Sequence, residues 1–270
     1  MNTCSRAIPA AARRWALGLA AALLLLYTPA AQAAKPAAAG KNSCVTCHSD
    51  PKFLVQNKKL YDYFQNWKLS VHRQENVSCA DCHGGNPQAE DKQAAHAGTA
   101  LGASEASSPI SYQNVPATCA RCHADVFKSF QQSAHFKNLI SNQQEKQAPN
   151  CVTCHGSVNI SVLNVSTVRT TCARCHNKES GLFPEIPGEA ESVLSDFLSI
   201  HRYYRYIAAK GEPKQIKALF KIIDPRIKRL NANWHTFDLP KVKADTEELI
   251  TFLKMQRDQM QRQPAAPPSQ

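Results

Sequence analysis

Cys-x-x-Cys-His occurs five times in this chain of 270 residues: Cys44-Val-Thr-Cys47-His48, Cys79-Ala-Asp-Cys82-His83, Cys119-Ala-Arg-Cys122-His123, Cys151-Val-Thr-Cys154-His155 and Cys172-Ala-Arg-Cys175-His176. At the chain's own frequencies of 11 cysteines and 10 histidines, chance gives about 0.02 such motifs. Each is the attachment signal of a c-type haem. Two thiols three positions apart form thioethers to the vinyl groups, and the next residue ligates the iron from one side. Five covalent macrocycles then dictate a fold built around cofactor more than around side chains. Roughly 236 residues follow the first 34, about 47 for each haem, and only 7 % of the chain is aromatic. The expected class is mostly α with extensive loops, a haem-packed core, a C-terminal helical tail and negligible sheet.

Five further histidines remain: His72, His96, His135, His201 and His235. One spare imidazole per iron is the number that five bis-His haems require. His72 and His135 stand at the same place in an internal repeat: Phe64-Gln-Asn-Trp-Lys-Leu-Ser70-Val-His72 precedes the second motif, and Phe130-Gln-Gln-Ser133-Ala-His135 precedes the fourth. His201 lies in Val193-x3-Phe197-x3-His201, an apolar helical face on which a histidine is either a ligand or a packed core residue. His235 sits between Trp234 and Phe237, and His96 in a stretch of small residues. The spacing leaves open which spare histidine serves which haem. An iron with two imidazoles passes electrons but has no free position, and lacks the methionine that raises potential. Catalysis would need one spare histidine that fails to coordinate; His96, left in its loop, is the one the sequence suggests.

Positions 1–34 read as a secretory signal peptide. Arg6, Arg13 and Arg14 form the basic start, Trp15 to Tyr27 the apolar centre, and Ala31-Gln-Ala33 the cleavage site. The apolar run is too short for a membrane span, so no stable span is expected after cleavage. A retained anchor is the alternative. Ten cysteines then remain, all in motifs, with none left for disulfides. Zinc competes only at Cys151-x2-Cys154-x17-Cys172-x2-Cys175; a ribbon has no use for a histidine after every pair.

Beyond residue 34 the chain has 29 basic and 21 acidic residues, a balance of +8. Haem propionates and ferric cores bring the oxidised holoprotein to about +3 and the reduced one to about −2. Basicity therefore does not point to nucleic acid. Eleven Lys and Arg concentrate at 202–243. They form either a solvated helix face with propionate counterions or a docking patch for an acidic redox protein.

The expected organisation is a five-haem region at 35–187, with two-haem repeats at about 44–85 and 119–157 and a fifth haem at 172–176. Residues 86–117 read as a linker or surface loop. A helical region at 188–262 supplies distal histidines: Glu189 to Lys210, Lys214 to Ile223 with a break or kink at Pro225, Arg226 to Asn231, and Lys241 to Gln261. Residues 263–270 read as a disordered tail.

Through the repeated Ser-x-His and Cys-x-x-Cys-His-Gly units, residues 44–176 resemble bacterial periplasmic multihaem c-type cytochromes. That broad group takes in the NapC/NirT/NrfH, NrfB and hydroxylamine-oxidoreductase-like cytochromes. The resemblance implies bis-His haems in close pairs and a role in anaerobic respiration. A long uncleaved anchor and a Cys-x-x-Cys-Lys motif, features of some members, are missing. The expected function is periplasmic electron transfer between a membrane donor and a terminal reductase or extracellular acceptor. The alternatives are an oxidoreductase acting on nitrite, hydroxylamine or tetrathionate at one open haem, and a membrane-anchored quinol dehydrogenase subunit.

Overall fold

Closely spaced attachment motifs leave room only for brief helices, and brief helices fill the first two thirds of the computed structural model. It describes residues 42–99, 102, 104–141 and 148–262; the expected signal peptide at 1–34 and tail at 263–270 lie outside the described residues. Helices make up 67 % of the described residues, with no strand among them. The sheet-free, mostly helical class expected from the sequence is the one found.

The short helices are α1 (Ser43–His48), α2 (Phe53–Gln56), α3 (Lys58–Leu69), α4 (Val71–Gln74), α5 (Cys79–His83), α6 (Lys92–His96), α7 (Val115–Ala120), α8 (Ala124–Phe130), α9 (Ala134–Ile140), α10 (Cys151–His155) and α11 (Val165–Cys172). Helices this short do not persist on propensity alone. Their ends are tied instead. Asn42, Asn57, Ser70, Asp91, Ser133, Asn150 and Asn164 cap α1, α3, α4, α6, α9, α10 and α11, each accepting from first-turn N–H groups.

Three long helices follow: α12 (Ile186–Lys210), α13 (Pro213–Asn233) and α14 (Leu239–Arg262), with a 3-10 turn at Trp234–Thr236. Val193, Phe197, Ile200 and Ile207 of α12 bury against Leu219, Ile223 and Leu230 of α13 and Val242, Leu249 and Leu253 of α14. This is the main side-chain core. By contrast, Phe64 is the only buried apolar side chain in residues 42–99.

Two segments depart from expectation. Helix α13 runs unbroken through Pro225. The proline lacks an N–H for the carbonyl four residues back, but the buried side chains of Ile223 and Leu230 hold the helix on both sides. Within the segment 86–117, residues 86–99 are also more ordered than a linker. Asp91 starts α6, Asn86 N–H donates to the Ala95 carbonyl, and Ser43 N–H and Oγ both donate to the Pro87 carbonyl. Gly84 and Gly85 make the approach possible, with φ of +77° and +87°. A Cβ on Gly85 would lie 2.6 Å from the Ala95 carbonyl oxygen. A five-residue helix has too few turns to show a hydrophobic period, which is why the sequence reads as loop there.

Candidate haem-attachment centres

A helical turn is what the motif needs. Residues three and four apart share a helix face, so within α1, α5 and α10 both cysteines and the histidine lie along one side. The third motif straddles the end of α7, and the fifth begins at the last residue of α11. None of the ten motif cysteines is in a disulfide. Among the described residues, no three of His, Cys, Asp and Glu converge as a metal cage.

The Ser-x-His units share one geometry. Ser70 and Ser133 have nearly identical backbone angles, φ −76°, ψ 155° and φ −73°, ψ 154°. The Ser70 hydroxyl donates to the Trp67 carbonyl and accepts from Arg73 N–H. The Ser133 hydroxyl donates to the Phe130 carbonyl and accepts from Phe136 N–H. Each serine thereby starts the helix on which its histidine is the second residue.

Four spare histidines face motif histidines. Ring centroids are 6.3 Å apart for His96 and His48, 6.3 Å for His72 and His123, 6.0 Å for His135 and His176, and 6.1 Å for His235 and His155. The spacing can be tested against an iron. A metal–imidazole bond of about 2.0–2.1 Å plus roughly 1.1 Å from nitrogen to ring centre puts two trans imidazoles about 6.3 Å apart. The four pairs fit that dimension. Other ring pairs reach the same distance, such as His176 and Phe183 at 6.3 Å; what marks these four is that both rings are imidazoles and one belongs to an attachment motif.

Backbone carbonyls orient several of these rings. Nδ1–H of His96 donates to Lys92, of His235 to Asn231, of His155 to Ser161 and of His176 to Leu182. A carbonyl only accepts, so the proton is on Nδ1 and Nε2 is left as the ligating atom. Hydrogen bonds of this kind also make the imidazole a better donor to metal. Sequence reasoning missed these partners because any residue supplies a carbonyl. It also missed Phe53, stacked on His48 at 5.6 Å, and Phe183, 6.3 Å from His176. Phe237 lies 4.5 Å from His135 and 6.3 Å from His235. Two buried polar atoms have no protein partner among the described residues, His135 Nδ1 and Trp234 Nε1. An acceptor such as a propionate would satisfy the indole N–H.

The thiols themselves record which motifs are neighbours. Burial, and then the Cys44 thiolate, push Cys79 up to about 11. Cys82 is raised by burial and then by Cys119. Cys119 and Cys151 hydrogen-bond to each other, which lowers Cys119 and raises Cys151. Cys154 is raised to about 11 by burial and then by Cys172. Consecutive motifs are thus adjacent in space, first to fifth.

Two histidines stand outside the pairs. His83 makes no ring contact with another histidine among the described residues, although burial and then the charge of nearby His48 hold it below the usual imidazole value. His201 lies edge-on to Phe197 at 5.3 Å, exposed on α12. It lines a cavity of about 300 Å³ with Tyr204, Asp224, Ile227, Lys228 and Asn231.

Residues 104–177, which hold the third to fifth motifs and His135, match the family model of cytochrome c7 and related cytochrome c. The match supports a multihaem c-type cytochrome. For these residues the family implies covalently bound haem c, and the paired imidazoles fit it. No curated protein and no solved structure matches the chain. No helix among the described residues is long and apolar enough to cross a membrane.

Proposed function

We propose that the chain is an exported pentahaem cytochrome that carries electrons between a membrane donor and a terminal reductase or extracellular acceptor. The observation that carries this reading is the set of four imidazole pairs at an iron-spanning separation. Haem bound there supplies a one-electron ferric/ferrous couple. Cys44 and Cys47, Cys79 and Cys82, Cys119 and Cys122, Cys151 and Cys154, and Cys172 and Cys175 hold the five groups. His48, His83, His123, His155 and His176 ligate from one side. His96, His72, His235 and His135 would supply the second imidazole to the haems of the first, third, fourth and fifth motifs. With two imidazoles each, these four haems would exchange electrons at low potential and offer no open place to a substrate. Periplasmic location follows from the signal-like segment at 1–34 and from the usual export of such cytochromes.

The basic region is the proposed docking face for an acidic redox partner. Within 202–243, Arg226, Lys228 and Lys243 pair with Glu248, Asp125 and Glu247. Arg202, Arg205, Lys210, Lys214, Lys217, Lys221, Arg229 and Lys241 are exposed and outside any ion pair among the described residues. Their charge would speed encounter in a salt-dependent way.

Two measurements test the proposal. Haem content of the exported protein should be five per chain. The ferric spectrum should show at least four low-spin haems per chain; mostly high-spin haem would refute the pairing.

A further inference from the structure

We propose that the haem held by Cys79 and Cys82 would find in His83 its only ligand among the described residues, and that its opposite face would take a small diatomic or anionic ligand. The inference rests on the pentahaem reading and adds where the open iron lies. The sequence alone pointed to His96 as the histidine that stays away from iron. The structure instead puts His96 6.3 Å from His48, with its Nδ1–H held by the Lys92 carbonyl.

The argument is an account of all ten imidazoles. Eight are used in the four pairs, and His83 and His201 remain. They do not face one another. His201 is fixed on α12, whose Val193, Phe197, Ile200 and Ile207 are locked into the C-terminal core. Its cavity is lined by side chains of α12 and α13 and by no motif cysteine or histidine. Thioether sulfurs do not substitute either. Met255 is 51 % exposed, and Met260 packs in the C-terminal core, its Cε 3.0 Å from where a Cβ on Gly211 would lie.

Position makes the open iron useful. The second motif lies between two others: Ser43, beside the first motif's Cys44, donates its N–H and Oγ to the Pro87 carbonyl just beyond the second motif. The Arg121 guanidinium also donates to the Asp81 carbonyl, tying the second motif to the third. A ligand on this iron would have an electron donor on either side. Ferrous iron there should take π-acceptors such as carbon monoxide or nitric oxide. Ferric iron should take small anions such as cyanide or nitrite.

The test is a carbon monoxide titration of the dithionite-reduced holoprotein, after its five haems have been confirmed by pyridine haemochrome. Wild type should bind one carbon monoxide per chain, and H201A should also bind one. A chain lacking Cys79 and Cys82 (C79A/C82A) should carry four haems and bind none. H96A, which removes the ring opposite His48, should bind two, showing that the assay counts open positions. Wild type with five haems and no bound carbon monoxide overturns the inference and leaves the carrier reading standing. A rise of one in H201A over wild type would make His201 an axial ligand and overturn it too. H96A equal to wild type would sink the pairing beneath both.

Discussion

Replacing Ser133 by alanine should loosen the chain more than the loss of one small hydroxyl suggests. Ser133 is 1 % exposed; its Oγ donates to the Phe130 carbonyl at 2.6 Å and accepts from Phe136 N–H at 3.0 Å. Losing a serine cap typically costs about 1 kcal/mol. The Phe130 carbonyl keeps its bond from Ser133 N–H at 2.9 Å but loses its second donor in a buried turn, which adds about 1 kcal/mol more. A total of about 2 kcal/mol corresponds to a fall in Tm of about 4–8 °C for a chain of this size. Because His135 is two residues into the helix that Ser133 caps, its hold on the His176 iron should weaken as well. Thermal unfolding of the oxidised holoprotein by far-UV circular dichroism measures the first effect, and Soret spectra read the second. S133N retains a cap acceptor and should lose less than S133A. An S133A Tm within a degree of wild type would refute the reasoning.

Other consequences are equally direct. Leu249→Ala, at 1 % exposure in the α12–α14 core, should cost about 2–5 kcal/mol in denaturant unfolding, whereas Ile222→Ala, at 54 % exposure, should cost about 0.5 kcal/mol or less. Gly85→Ala should destabilise clearly and Gly98→Ala less, since both have positive φ but only Gly85 faces a carbonyl at 2.6 Å; equal effects would contradict the close approach of α6. The imidazole planes of His48 and His96 cross at 71°, against 28° for His155 and His235. Crossed planes bring the iron dπ orbitals closer in energy, so H96A should abolish the low-spin EPR signal of largest g anisotropy. Asp125 is held below the usual carboxylate range by its hydrogen bond with Lys228. The pair therefore stabilises above the ordinary Asp value and fades as pH falls through the lowered one; the Tm difference between wild type and D125N should shrink toward zero on acidification.

Much of this was legible in the residues, and for a stated reason. Cys-x-x-Cys-His is covalent chemistry and survives any fold, so the attachment points need no structure to be found. The Ser-x-His repeat was visible because capping is local: the serine and the backbone groups it bonds lie within three residues of one another. Helices α12 to α14 announced themselves through long apolar periods. Pairing was not legible. His72 precedes the second motif yet faces the third, and His96 follows the second yet returns to the first. Nothing within a few residues of either encodes the choice, which is made by how the capped helices stack. Helix α6 was hidden for the opposite reason: its determinants, Asp91 and two positive-φ glycines, are local but too few to form a pattern.

The crossing of partners has a further consequence for how the chain is built. His135 passes over the fourth motif to face His176 in the fifth, while His235, at the end of α13, comes back to face His155 in the fourth. Under the proposed ligation, the third motif draws its second imidazole from the segment before the second, and the fourth draws its own from the C-terminal bundle. A two-haem repeat is then not a self-sufficient unit, although it looks like one in the sequence. Each iron that closes also fastens two distant stretches of chain, and in residues 42–99, with Phe64 as the only buried apolar side chain, little else does so. The second motif would have no such fastening. It is held instead by neighbours on both sides: by the Pro87 carbonyl against Ser43 and by Arg121 on the Asp81 carbonyl. Backbone contacts there replace the imidazole bridge, and that leaves one iron face free without loosening the chain around it.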